Sequence, residues 1–232
     1  MLKTSLPKKI VILVMILALP GFLYYLLTAK GKNRYKPLPF YGPKEVAKTG
    51  HKFHGKYIPD TIYHKVGDFK LTDQNGAGVT AATFDKKIFV ANFFYTSCAD
   101  VCKTVNTNLG GLVKNYRNNK MVNFVTVTID PEHDNVAALK NYASQFREAG
   151  KWLFLTGDTT NIYNLSRNGL LVNAFKTADG SFALDDKLVL VDAEKRIRGY
   201  YSGTSTTDMV KLNDEIKVLI SEELRKVDKA LY

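Results

Sequence analysis

Residues 10–29 read IVILVMILALPGFLYYLLTA, twenty positions without one charged side chain. As a helix such a run spans roughly 30 Å, the thickness of a bilayer's hydrocarbon core. A core helix of a soluble protein is a poor alternative for a stretch so uniformly apolar and so near the terminus. Tyr24 and Tyr25 lie near one end, where membrane interfaces hold aromatics. Pro20 and Gly21 are tolerated inside membrane helices. A cleaved signal peptide would have a shorter apolar region and a small-x-small site. Here Leu26 and Leu27 continue well past Pro20, and Thr28-Ala29-Lys30 suits cleavage poorly. The reading is an uncleaved transmembrane helix over 10–29, preceded by a basic flank over 1–9.

That helix explains the charge. The chain of 232 residues has 33 Lys and Arg against 22 Asp and Glu, a net +11. Such a value suggests a nucleic-acid partner. Residues 1–44, however, hold eight of the bases and no acid, which leaves 25 bases and 22 acids for the rest. The excess flanks the apolar run and speaks of a membrane surface; no nucleic-acid partner is expected. Lys3, Lys8 and Lys9 precede the helix, and Lys30, Lys32, Arg34 and Lys36 follow it. The positive-inside rule therefore chooses no orientation. With 45% hydrophobic and 24% charged residues, disorder over most of the chain is excluded. Two cysteines exclude a disulfide-rich scaffold and any four-cysteine zinc or iron–sulfur site.

Residues 30–65 read as a tether, punctuated by Pro37, Pro39, Pro43 and Pro59 with aromatics between them. A regular domain follows over 66–228. Asp68 to Thr72 alternates as a half-exposed strand does, and Asp73-Gln74-Asn75-Gly76 is turn chemistry. Ile88 to Tyr95 is a nearly continuous apolar run, expected of a central strand covered on both faces. A helix is expected over about 100–117, then a second central strand over Val122 to Ile129, closed by Asp130-Pro131. A helix carrying Val136, Leu139, Tyr142 and Phe146 comes next. A short strand over Trp152 to Leu155 and a short helix over Thr159 to Arg167 precede paired strands at 188–191 and 197–201. A last amphipathic helix over about 207–226 bears Met209, Leu212, Ile216, Leu219 and Ile220. Strands separated by helices are joined most economically as parallel neighbours. The order predicts an α/β, thioredoxin-like fold.

Cys98 and Cys102 lie where the first central strand gives way to a helix. A spacing of four puts two helical side chains on one face. The helix N-terminus favours thiolate through its free N–H groups and dipole. Cys98 is thus expected in the loop, as the attacking thiolate, and Cys102 in the first turns, as the resolving one. A purely stabilising disulfide would close too short a loop to gain much. Paired thiolates also suit soft Cu(I).

The segment Phe93-Phe94-Tyr95-Thr96-Ser97-Cys98-Ala99-Asp100-Val101-Cys102 closely resembles the F-x-Y-T-x-C-P-D-V-C segment of the SCO/SenC family. Asp130-Pro131-Glu132-His133-Asp134 is similar to that family's D-P-x-x-D. Trp152 to Gly157 is similar to its W-x-x-L-T-G, and Val189 to Asp192 with Arg196 to Tyr201 to its late hairpin. The resemblance covers about residues 60–228 and the N-terminal anchor. It implies a membrane-anchored thioredoxin-like protein whose domain lies outside the cytoplasm, on the periplasmic or equivalent side. It implies further a role in maturing the copper site of cytochrome c oxidase, copper as cargo at Cys98 and Cys102, and a partner dithiol or copper-site protein.

Three departures from the pattern stand out. Ala99 and Lys103 occupy places where the family has proline. Counting eight residues back from Asp192 reaches Leu184, where the family has its copper-ligand histidine, and no histidine follows position 133. No proline follows Pro131, so another residue must take the place of thioredoxin's cis-proline. Without the histidine, thiol–disulfide exchange ranks above copper carriage. A Cu(I) metallochaperone using both thiolates, and an assembly factor with a purely structural disulfide, are the alternatives. Asp185 and Asp186 could replace the missing ligand only as hard oxygen donors, and are read first as turn residues. Asp130 is a candidate to accept a proton during exchange, or simply begins the turn before Pro131. His133 is read as a solvated loop residue, and His51, His54 and His64 as surface residues of the tether. Trp152, Tyr200 and Tyr201 are read as core or half-core aromatics.

Overall fold

A computed structural model describes residues 6–29, 37–146 and 151–230. The chain divides into two units, one up to Lys36 and one from Pro37 on. The first contains α1 (Leu6–Ala29), a helix that starts four residues before the apolar run and takes in Lys8 and Lys9. Pro20 lies inside it. Its span Pro7–Leu27 is long and apolar enough to cross a membrane, with a mean hydropathy of 2.6.

The second unit is built on a seven-stranded mixed sheet. Its strands are β3 (Lys70–Asp73), β4 (Gly78–Thr80), β5 (Ile88–Phe94), β6 (Val122–Thr128), β7 (Trp152–Thr156), β10 (Lys187–Val191) and β11 (Ile197–Ser202). Their order across the sheet is β11-β10-β5-β6-β7-β3-β4. β5, β6 and β7 are parallel neighbours, with Ile88 opposite Val122 and Phe124 opposite Trp152. β10 and β3 add antiparallel to either side of that trio. The helices α2 (Asp100–Asn115) and α3 (Val136–Ala143) make the crossovers that parallel strands require. This is the thioredoxin-like arrangement expected from the sequence.

The alternation of each central strand shows why the sheet is covered twice. In β5, Ile88, Val90 and Phe94 enter one core with α2, α3 and α5 (Thr206–Ala230). Phe89, Ala91 and Phe93 enter another with α4 (Thr159–Asn164) and its continuation. All seven residues of β5 are buried, which is why its apolar run is unbroken rather than alternating. Fully burying each such side chain is worth about 1.5–3 kcal/mol. Trp152 and Tyr201 lie in the first core, and Tyr200 is half-buried.

The differences from expectation lie in short or irregular pieces. α4 is followed by a π-helical turn over Leu165–Gly169. α3 ends at Ala143, so Phe146 packs from beyond the helix, stacked on Phe154. Strands β8 (Ala174–Lys176) and β9 (Phe182–Leu184) form a small hairpin that their sequence, interrupted by Thr177-Ala178-Asp179-Gly180, did not announce. Within the stretch read as a tether, β1 (Lys44–Phe53) and β2 (Lys56–Tyr63) pair as an antiparallel hairpin. Before them Leu38 is buried in the first core. Arg198, 1% exposed, donates to the carbonyls of Leu38 (2.7 Å) and Pro39 (3.1 Å) and to Asp192 and Glu222. A buried arginine wants this many acceptors, and the segment 37–39 supplies two of them.

Candidate functional site

β5 ends at Phe94, and the loop Tyr95 to Ala99 turns the chain into α2. Cys98 N–H donates to the Tyr95 carbonyl at 3.0 Å, which closes the turn. Cys98 and Cys102 are joined in a disulfide, with their Cα atoms 5.8 Å apart. Cys98 is half-buried and Cys102 is 3% exposed. No side chain of the N-cap residue Ala99 caps α2, and Asp100 lies in its first turn. The two sulfurs therefore stand as the sequence suggests, one in the corner and one beneath it.

A buried polar chain holds the helix that carries Cys102. Asn106, one turn on, accepts from the Asn92 amide of β5 at 3.1 Å and donates to the Tyr142 hydroxyl at 2.9 Å. Asn92 also accepts from Thr126 of β6, which in turn accepts from the Trp152 indole of β7 at 2.7 Å. Each of these buried groups has found a partner, as burial demands. The chain runs through three strands and two helices, so the Cys102 face of α2 cannot rotate without breaking several bonds.

A second contact, which sequence reasoning missed, holds the cysteine loop itself. Asp134 is 1% exposed. Its carboxylate accepts from the Thr96 N–H at 2.9 Å and from the hydroxyls of Thr96 and Thr128. Thr96 is two residues before Cys98, and Asp134 follows the end of β6, so the carboxylate binds the loop after one strand to the loop after its neighbour. The visible signal was the spacing in Asp130-Pro131-Glu132-His133-Asp134.

Asp130, 6% exposed, faces His133, whose Nδ1 lies 2.8 Å from one of its oxygens. The hydrogen bond and charge of Asp130 raise the His133 pKa above its ordinary value. His133 is an exposed loop residue, yet it is tied to Asp130. Together with Glu132 these two bring three ligand atoms within 4.8 Å of one another. Among the described residues, neither this group nor the one formed by Asp192, Glu194 and Glu223 includes a cysteine.

Two of the other histidines, His51 and His54, are exposed. His51 pairs with Asp60 at 3.2 Å across the β1–β2 hairpin, and His54 sits at its tip. His64 departs from the surface reading: it is half-buried, and its Nε2 bonds the Gly169 carbonyl at 2.8 Å.

Leu184 ends β9, half-buried, against the same core cluster that takes Cys98. The hairpin that carries it is brought to the cysteine loop by Phe182, whose ring packs on Tyr95 at 4.4 Å. At the position where the family's spacing puts a histidine, Leu184 offers hydrocarbon in place of a nitrogen donor. Asp185 does not replace it, since its Oδ2 accepts from the Asn173 N–H and pairs with Lys187. Nor does Asp186. Burial pushes its pKa up, but hydrogen bonds from Ser202 and Thr204 outweigh this and hold it below the usual carboxylate range. The residues present do not fit a three-ligand copper site; two reduced thiolates alone fit Cu(I) and not Cu(II).

A family model described as SCO1/SenC matches residues 60–220. The chain is similar to an SCO2-like protein of Rickettsia conorii, 27% identical over 210 residues, or 88% of this chain and 94% of that one. It is similar to the SCO1 protein homolog of Bacillus subtilis, 28% identical over 105 residues, covering 44% of this chain and only 54% of the other. Among solved structures, a SCO1/SenC family lipoprotein from Bacillus anthracis matches with a TM-score of 0.62 at 26% identity, over 68% of this chain and 95% of the other. ScoI of Bradyrhizobium japonicum, solved with copper bound, matches with a TM-score of 0.56 at 29% identity, over 67% and 99%.

Proposed function

Because the chain belongs to the SCO1/SenC family, we propose that it matures the copper site of a respiratory oxidase by thiol–disulfide exchange at Cys98 and Cys102. The observation that carries this reading is the disulfide at the β5–α2 corner, with Leu184 where a histidine ligand would be needed.

The exchange begins from the reduced pair, which a dithiol protein regenerates as the Cys98–Cys102 bond breaks and the donor's own two thiols become a disulfide. The Cys98 thiolate attacks a partner's disulfide. A Cys98–partner S–S bond forms, the partner's own S–S bond breaks, and one partner thiolate leaves. The Cys102 thiolate then attacks the Cys98 sulfur, forming the Cys98–Cys102 bond and releasing the second partner thiolate. Two electrons pass to the partner, and the Cys102 thiol proton goes to solvent. The greater exposure of Cys98 supports its role as attacker. Asp130 is proposed as the first acceptor of that proton on its way to solvent. The helix α1 anchors the domain, which faces the extracytoplasmic side by analogy with the family.

A second reading, Cu(I) held as cargo by both thiolates, has the copper-bound Bradyrhizobium relative in its favour. Trapping separates exchange from the rest. Cys102→Ser should accumulate mixed disulfides, and Cys98→Ser should trap nothing; the reverse result sinks the assignment of attacker and resolver. A reduction potential below about −300 mV with no exchange with thioredoxin-like proteins would instead make the disulfide a structural staple.

A further inference from the structure

The β1–β2 hairpin is unusually bare. Among its residues Val46 is 76% exposed, Phe53 and Tyr57 58% each, and Ile62 53%. A lone two-stranded hairpin is marginal in water, and apolar exposure on this scale calls for something to cover it. Its tip turns through His54 (φ 45°) and Gly55 (φ 77°), a two-residue turn of the kind that matches strand twist. Across the ladder Lys52 stands opposite Tyr57, and Phe53 opposite Lys56. Partners across a ladder share a face and successive pairs alternate. Each face of the tip therefore presents one base and one aromatic ring.

Charge identifies the occupant. Residues 1–65 hold twelve bases and two acids, Glu45 and Asp60; residues 66–232 hold 21 bases and 20 acids. The positive character that begins at the membrane helix thus runs on through the hairpin and stops at its end. A second copy of the same basic tip would repel it, whereas anionic headgroups attract lysine and admit aromatic rings at their own depth. Between Ala29 and Pro37 lie seven residues, a reach of at most about 28 Å, four of them Lys or Arg. We propose that the tip of the β1–β2 hairpin, with Lys52, Phe53, Lys56 and Tyr57, docks on an anionic lipid surface.

This rests on α1 being a membrane anchor, and the test keeps the two apart. The full chain is reconstituted into vesicles of phosphatidylcholine alone and of phosphatidylcholine with phosphatidylglycerol. Flotation reports the anchor; amide hydrogen exchange over 50–58 reports the hairpin. The chain should float with both vesicles, and exchange at the tip should slow only on the anionic ones. That protection should fall as salt is raised from about 50 to about 500 mM. Lys52→Gln and Lys56→Gln should each reduce it about fivefold, the equivalent of ~1 kcal/mol for a base near an anionic surface, with protection of β5 and β6 unchanged. Failure to float overturns the anchor. Floating with equal exchange on both vesicles, or protection that appears only when copies self-associate or an acidic protein is added, overturns the docking.

Discussion

Leu184 stands where the family's spacing puts the copper-ligand histidine, eight residues before Asp192. Leu184→His supplies the nitrogen that the site lacks, and should raise the affinity of the reduced chain for Cu(I) by about tenfold, ~1.4 kcal/mol. Competition against a chromogenic chelator measures this; equal affinities would show that the two thiolates already suffice. At His133 the neighbouring carboxylate raises the pKa above the ordinary 6.5. A group whose folded pKa is raised stabilises the fold fully below its unfolded value and loses that contribution as pH rises through the folded one. Wild type should therefore exceed His133→Gln in stability near pH 6, with the gap closing toward pH 8, as followed by urea melts across that range.

Elements are locked to one another by a few buried charges. Asp134 joins the β5–α2 loop to the end of β6, and Asp134→Ala would leave the Thr96 N–H and two hydroxyls without an acceptor. The expected cost is about 3 kcal/mol. Because the freed loop bears Cys98, reduction of the disulfide by a small thiol should also become faster. Arg198 joins β11 to the segment 37–39 and to α5. Arg198→Met strips Asp192, which is wholly buried, of one of its cations and leaves two carbonyls unbonded. A broken buried pair of this kind costs about 3–5 kcal/mol. Denaturant melts should report that loss, and limited proteolysis should find new cleavage within 37–43.

In the whole molecule, an apolar helix of bilayer length, a basic stretch and a nearly neutral α/β domain follow one another along the chain. The long apolar helix, the central strands and the cysteine corner were legible in the sequence because each is written in neighbouring residues. Twenty uncharged positions, seven consecutive buried ones, and a thiol pair at a strand-to-helix junction need no distant partner to be recognised. The β8–β9 hairpin was not legible because its strands are three residues long, and the β1–β2 hairpin because Pro59 lies inside β2 and its exposed strands lack a buried apolar alternation. The roles of Asp134, Asn106, His64 and Arg198 were hidden for a different reason. Each is a single polar residue whose meaning lies in acceptors or donors 14 to 160 positions away. The sequence by itself thus determined the long apolar helix, the α/β order and the two sulfurs, through local hydrophobic pattern and spacing. Only the tertiary structure decided what surrounds the sulfurs, because desolvated polar groups must find partners wherever the fold brings them.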